Sequence, residues 1–110
     1  MQVCYNLIFQ HPYDPHWKSG SMFQAEGAAM GIITMRSLTA GLFQRWFNAA
    51  IPDAKVDFSG PLLQFQLSNP LVDVALVGMR TVDEVEANVA VANDLSGRID
   101  LEAIHQHFLK

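Results

Sequence analysis

Short apolar runs alternate with amphipathic segments along the chain. Residues 2–9, QVCYNLIF, are rich in β-formers, and HPYDPHW then breaks the run with two prolines. Over 16–29, apolar positions Met22, Phe23, Ala25, Ala28 and Ala29 predict a helix, with Gly31 as its stop. Residues 32–36, IITMR, predict a second strand. A long loop over 37–54 follows, with a helical turn around Phe43 to Ala49. A helix is expected from about Ser59, with Pro61 tolerated in its first turn and Pro70 marking its end. Its apolar residues Leu62, Leu63, Phe65 and Leu67 do not form one clean stripe.

The third strand is expected over 72–77, VDVALV. Thr81-Val82-Asp83-Glu84 then has the form of a capping box: the threonine hydroxyl accepts from the third helical amide and Glu84 reaches back. Val82, Val85 and Val89 recur at i, i+3 and i+7 and predict one apolar face. Gly97 is the expected stop. Asp100 is the expected cap of a last helix carrying Leu101, Ile104 and Phe108 on one side.

The order is β-α-β-α-β-α-α. Such alternation predicts a parallel sheet with right-handed crossovers. The near-continuous apolar character of the strands fits a sheet covered on both faces. Nothing divides residues 1–110, so one domain is expected.

Composition sharpens this picture. Half of the 110 residues are hydrophobic and only 16% are charged, and the mean hydropathy is +0.13. That is apolar for a small domain, and suits either a well-filled core or a surface awaiting a partner. A net charge of −4 and scattered Lys and Arg argue against nucleic-acid binding. The single cysteine, Cys4, excludes an internal disulfide framework and suits a reducing cytoplasm. No apolar run reaches the roughly 20 residues of a membrane helix, and the first ten residues lack the pattern of a signal peptide.

Three stretches carry a resemblance. LVDVALVGMRTVDEVEANVAVA resembles the eighth strand and following helix of an aldo/keto reductase barrel. GIITMRSLTAGL is similar to that family's seventh strand and phosphate-side loop, and MQVCYNLI to its sixth strand. The matches run in order over essentially the whole chain. The resemblance implies an α/β fold that is part of a TIM-type (β/α)8 barrel: three parallel βα units, barrel strands 6 to 8, plus a C-terminal helix. It implies NAD(P)H-dependent reduction of an aldehyde or ketone in a complete barrel, with this part holding most of the nicotinamide cofactor site. The family's catalytic Asp, Tyr, Lys and His come from earlier strands, so no catalytic residue is assigned here. A second chain or a preceding N-terminal part would have to supply them.

The resemblance also assigns cofactor residues. Gln2 stands where a glutamine would meet the nicotinamide carboxamide, or is an ordinary polar residue at a chain end. Met35 stands where an aromatic ring usually packs on the nicotinamide; a thioether can take that place, and the other reading is a core methionine. Arg36, Leu38, Thr39, Ala40 and Gly41 match the loop around the pyrophosphate, where an arginine pairs with phosphate oxygens; an ion pair with a surface carboxylate is the alternative for Arg36. Gly78, Met79, Arg80, Thr81, Glu84 and Asn88 match the adenosine segment, with Arg80 toward the ribose phosphate and Asn88 toward the adenine. Glu84 repels a 2′-phosphate where relatives that prefer NADP carry a base, which leaves NAD open beside NADP. Its capping role is the structural alternative, and both can hold together.

The remaining candidates are weaker. Tyr5 and Asn6 are expected to position the strand end. His105 and His107 are two apart and do not form an i, i+4 chelating pair. His11, Asp14 and His16 share a loop, but a zinc site needs three or four supported ligands, so no metal is expected. Cys4 is expected as a small core residue. A non-catalytic domain that self-associates or binds nucleotide weakly is the competing expectation. Its basis is that residues such as Val3, Ile33 and Val74, or their neighbours, would line a barrel interior and lose their opposing side chains.

Overall fold

The structure is a computed structural model describing residues 1–101 and Ala103. Three strands, β1 (Gln2–Cys4), β2 (Ile33–Met35) and β3 (Val74–Ala75), form one sheet in the order β1-β2-β3. Both pairings are parallel, with Gln2 opposite Ile33 and Ile33 opposite Val74. Helix α1 (Ser21–Gly27) joins the first two strands. Helices α2 (Leu42–Ala50) and α3 (Ser59–Leu67) lie between the second and third, and α4 (Val82–Asn93) follows the third. Up to α4 the expected order of strands and helices is present, with shorter strands than the apolar runs suggested; most of the expected last helix lies outside the described residues.

Local chemistry explains most of the differences. β1 stops at Cys4 because Asn6 turns the chain: its Oδ1 accepts from the amides of Ile8 and Phe9 at 2.9 and 2.8 Å. Leu7, Ile8 and Phe9 therefore belong to a turn. α1 starts after Gly20, whose φ of 106° lies where side chains are disfavoured. A Cβ there would sit 2.4 Å from the Pro12 carbonyl oxygen, so only glycine fits. The helix ends at Gly27, ahead of the expected Gly31, and Ala29 takes a φ of 58°.

At α4 the capping box forms with a one-residue offset. Thr81 Oγ1 accepts from the Glu84 amide at 3.1 Å, as expected, but Glu84 Oε2 accepts from the Arg80 amide at 2.6 Å instead of the Thr81 amide. The carboxylate thus fixes the turn before the helix as well as its start. α4 ends at Asn93, before Gly97: the Asp94 side chain caps a short 3-10 turn over Leu95–Gly97. Arg98 then closes the end of α4, donating to the carbonyls of Val91, Ala92 and Asp94 and to Gln64 Oε1. Asp100 Oδ1 accepts from the Ala103 amide at 3.0 Å, consistent with the expected cap. Ile104, His105, His107 and Phe108 lie outside the described residues.

The core sits between one sheet face and the helices. Tyr5, Tyr13, Met22, Ala25, Ile32, Phe65 and Leu101 form its buried cluster, with Val3 and Leu71 packed against it. α3 packs on both α4 and β3, which explains why Leu62, Leu63, Phe65 and Gln66 are all buried and no single stripe was visible. Gln66 Nε2 donates to the carbonyl of Tyr5, tying α3 to the end of β1.

Two expectations about faces are corrected. Register puts Val3 with Thr34 and Ala75 on the helix-covered face, so Val3 does not share a face with Ile33 and Val74. The other face carries Ile33, Met35, Val74 and Leu76, which are 36, 37, 48 and 44% exposed. The expectation of a sheet covered on both faces therefore fails among the described residues. Val82, Val85 and Val89 are likewise exposed, Val82 at 72%. α4 meets α3 through its other side, where Val91 approaches Gly60 and its carbonyl accepts from Gln64.

Candidate functional site

Parallel strands place their C-terminal ends together, and those ends are where α/β proteins build sites. Here the end of β1 and the end of β2 are joined by one side chain. Asn6 Nδ2 donates to the Arg36 carbonyl at 3.0 Å, and the Thr39 amide donates to the same oxygen at 2.9 Å. Asn6 is buried, and the contact itself is partly buried. Arg36 takes a φ of 58°, and Thr39, Ala40 and Gly41 follow at 60, 53 and 79°. Positive φ at a β-branched residue such as Thr39 is an outlier held by its surroundings. Thr39 Oγ1 accepts from the Phe43 amide at 3.0 Å, which binds this loop to the start of α2.

Between these elements lies a cavity of about 400 Å³. Cys4, Asn6 and Arg36 form its strand-end wall. Thr39, Ala40, Leu42 and Arg45 form the wall from the loop and α2, and Ile8 and Phe9 complete the rim. Two arginines and no acidic residue are among the lining residues, and most of the lining is apolar. A larger depression of about 620 Å³ opens beside Gln44, Asn48, Lys55 and Asp57, but it contains none of the residues singled out in the sequence.

The assigned cofactor residues divide between places. Arg36 and Ala40 meet at the cavity, with Thr39. Leu38 lies in the same loop, its carbonyl accepting from the Gly41 amide at 3.1 Å. Gln2 and Met35 stand on the open sheet face, Gln2 beside Ile33 and Met35 beside Cys4. Met35 is too exposed for a core methionine. Gly78, Met79, Arg80 and Glu84 are exposed around the start of α4, and Asn88 is half-buried along it. None of these lines the cavity. The two loops are nevertheless neighbours, because Ser37 Oγ donates to the Leu76 carbonyl at 2.8 Å.

Arg45 was missed. Its signal in the sequence was modest: it stands three residues after Leu42, the spacing that puts two side chains on one helix face. Cys4 is corrected from core residue to half-buried cavity lining. Asn6 positions the strand end, as expected, while Tyr5 is a fully buried core residue. Burial pushes the Tyr5 hydroxyl up to about 12, with the Asn69 side chain beside it pulling the other way. Among the described residues no group of three or more His, Cys, Asp or Glu is arranged for a metal. Asp14 Oδ1 instead accepts from the His16 and Trp17 amides. No helix among them is long and apolar enough to cross a membrane.

No family model, characterised protein or solved structure matches the chain.

Proposed function

We propose that this chain is the cofactor-binding C-terminal part of an aldo/keto reductase barrel, reducing aldehydes or ketones with NAD(P)H when the barrel is complete. One observation carries the reading. Three parallel strands in consecutive order end at a loop where Arg36, Thr39 and Ala40 line a cavity. Those residues are where the resemblance puts the pyrophosphate. Arg36 and Arg45 are among the residues that line the cavity and no acidic residue is, which supports the reading. Bound there, the nicotinamide cofactor supplies the hydride. Arg36 holds the phosphates, and Gln2 and Met35, on the open sheet face, receive the nicotinamide end. Arg80 and Asn88 take the adenosine end across the bridge that Ser37 makes to Leu76. Glu84 is committed to the Arg80 amide yet keeps an anion near that end. The reading therefore allows NAD as well as NADP.

The experiment is a titration of the 110-residue chain with NADH and NADPH, followed by nicotinamide fluorescence. Saturable binding that Arg36→Ala and Arg80→Ala together abolish supports the proposal. Equal binding by that double variant overturns it. Carbonyl reduction by the chain alone, in protein free of host reductases, would overturn the assignment of the acid–base residues to another part of the barrel.

The second reading is a non-catalytic domain that self-associates. The uncovered row Ile33, Met35, Val74 and Leu76 favours it, because contiguous apolar surface on a small protein marks a contact.

A further inference from the structure

We infer that Asn6 is a positioning residue for the cavity: from the end of β1 it holds the loop over 36–41 in a left-handed form that the loop's own side chains disfavour. The inference rests on the proposed function's reading of this loop as the element that meets a ligand. It adds a residue on another strand, to which the resemblance assigns no part in binding.

The backbone of the loop is unusual. Arg36, Thr39 and Ala40 take φ values of 58, 60 and 53°, which are unfavourable for any residue with a side chain and most of all for the β-branched Thr39. Inside the loop the Thr39 amide donates to the Arg36 carbonyl at 2.9 Å and the Gly41 amide to the Leu38 carbonyl at 3.1 Å. Bonds of this span form in ordinary turns and do not by themselves select the left-handed values. Ser37 Oγ donates to the Leu76 carbonyl, which anchors a side chain and not the Arg36 peptide. Asn6 Nδ2, at 3.0 Å from the Arg36 carbonyl oxygen, does act on that peptide.

Asn6 is committed to this geometry by its other bonds. Its Oδ1 accepts from the Ile8 and Phe9 amides, and its own amide donates to the Phe9 carbonyl at 3.0 Å. The two ends of the carboxamide cannot be exchanged: turned over, its NH2 would face two donors and its oxygen would face the Arg36 carbonyl. At 4% exposure the side chain is enclosed. Both segments it joins line the cavity, the turn through Ile8 and Phe9 and the loop through Arg36, Thr39 and Ala40. An aspartate of the same shape would accept from the two turn amides but has nothing to donate to the loop. One substitution therefore separates the two roles.

The test compares amide hydrogen exchange, by NMR, in the unaltered chain and in Asn6→Asp. The Ile8 and Phe9 amides should stay within about twofold of their original rates, while those of Thr39 and Gly41 exchange at least about fivefold faster. A side chain with only a general structural role would release turn and loop together. Equal acceleration of both, or an unchanged loop, overturns the positioning role. A scalar coupling across the hydrogen bond from Asn6 Nδ2 to the Arg36 carbonyl carbon, measured in the unaltered chain, keeps the test independent of whether the variant folds. Its presence supports the inference and its absence overturns it. Titration with NADH and NADPH separates this result from the proposed function. Binding that Asn6→Asp weakens about fivefold or more supports both. Binding that the variant leaves unchanged overturns the positioning role and keeps the cofactor reading. A loop released in the variant, with no dinucleotide bound by the unaltered chain, does the reverse.

Discussion

Asn6 and Arg36, 30 positions apart in sequence, are joined by a hydrogen bond of 3.0 Å from the Asn6 Nδ2 to the Arg36 carbonyl. The same carboxamide accepts from Ile8 and Phe9 through its Oδ1. One buried side chain thus ends β1, shapes the turn after it and fixes the residue that opens the cavity.

Asn6→Ala removes all three bonds and leaves polar backbone groups in a part-buried place without a partner. Each such group costs about 1–3 kcal/mol. The variant should lose at least about 2 kcal/mol in urea denaturation, with an unchanged m-value. A loss below about 0.5 kcal/mol would mean that the turn is held by something else.

Two glycines should respond in opposite directions. Gly20→Ala puts a methyl group 2.4 Å from the Pro12 carbonyl oxygen at a φ of 106°, and should destabilise by more than about 1 kcal/mol. A methyl group at Gly27, in the last position of α1, meets nothing within 4 Å. Gly27→Ala should therefore be neutral or stabilise by up to about 1 kcal/mol. Thermal melts of the pair check this, and equal shifts would contradict the geometry.

Tyr5 gives a pH dependence. Its hydroxyl is raised from 10.0 to about 12 by burial, so the folded chain keeps a proton that the unfolded chain releases. That contribution is fully present below pH 10 and is lost as pH rises toward 12. Stability should fall over this window. The Asn69 side chain lies beside the hydroxyl without a fully formed hydrogen bond to it, so Tyr5→Phe should leave stability at pH 7 unchanged or raised and flatten the alkaline fall. Denaturant melts from pH 8 to 12 decide it; an equally steep fall in the phenylalanine variant would assign the dependence elsewhere.

The open sheet face predicts association. β1 and β3 are edge strands of a three-stranded sheet, and unpaired edges beside apolar side chains template further contacts. Light scattering should show species larger than one chain at micromolar concentration. Val74→Lys, at a half-exposed position facing away from the core, should shift them toward the monomer without lowering the melting temperature. A sharp monomer peak for the unaltered chain would show that the face is tolerated by solvent.

What sequence alone could determine was local or periodic. The cap at Thr81 was legible because its hydrogen bond spans three residues and depends on one hydroxyl and one amide. The alternation of strands and helices was legible because apolar runs and breaking residues set it, and parallel pairing followed from the intervening helices. Arg36 and Ala40 were singled out because the resemblance runs through the one short loop that carries both. Tertiary structure decided the rest, since packing competes with local preference. The valines at 82, 85 and 89 form a regular stripe, yet α3 packs on the other side of α4, at Val91 and Gln64. Apolar strands looked covered on both faces, but hydrophobic character does not say which face the helices take. Arg45 reaches the cavity with Arg36 only because left-handed φ values over Thr39 to Gly41 turn α2 back across the strand ends. Such values are set by contacts between elements, among them the Asn6 carboxamide on the Arg36 carbonyl, and no spacing along the chain encodes them.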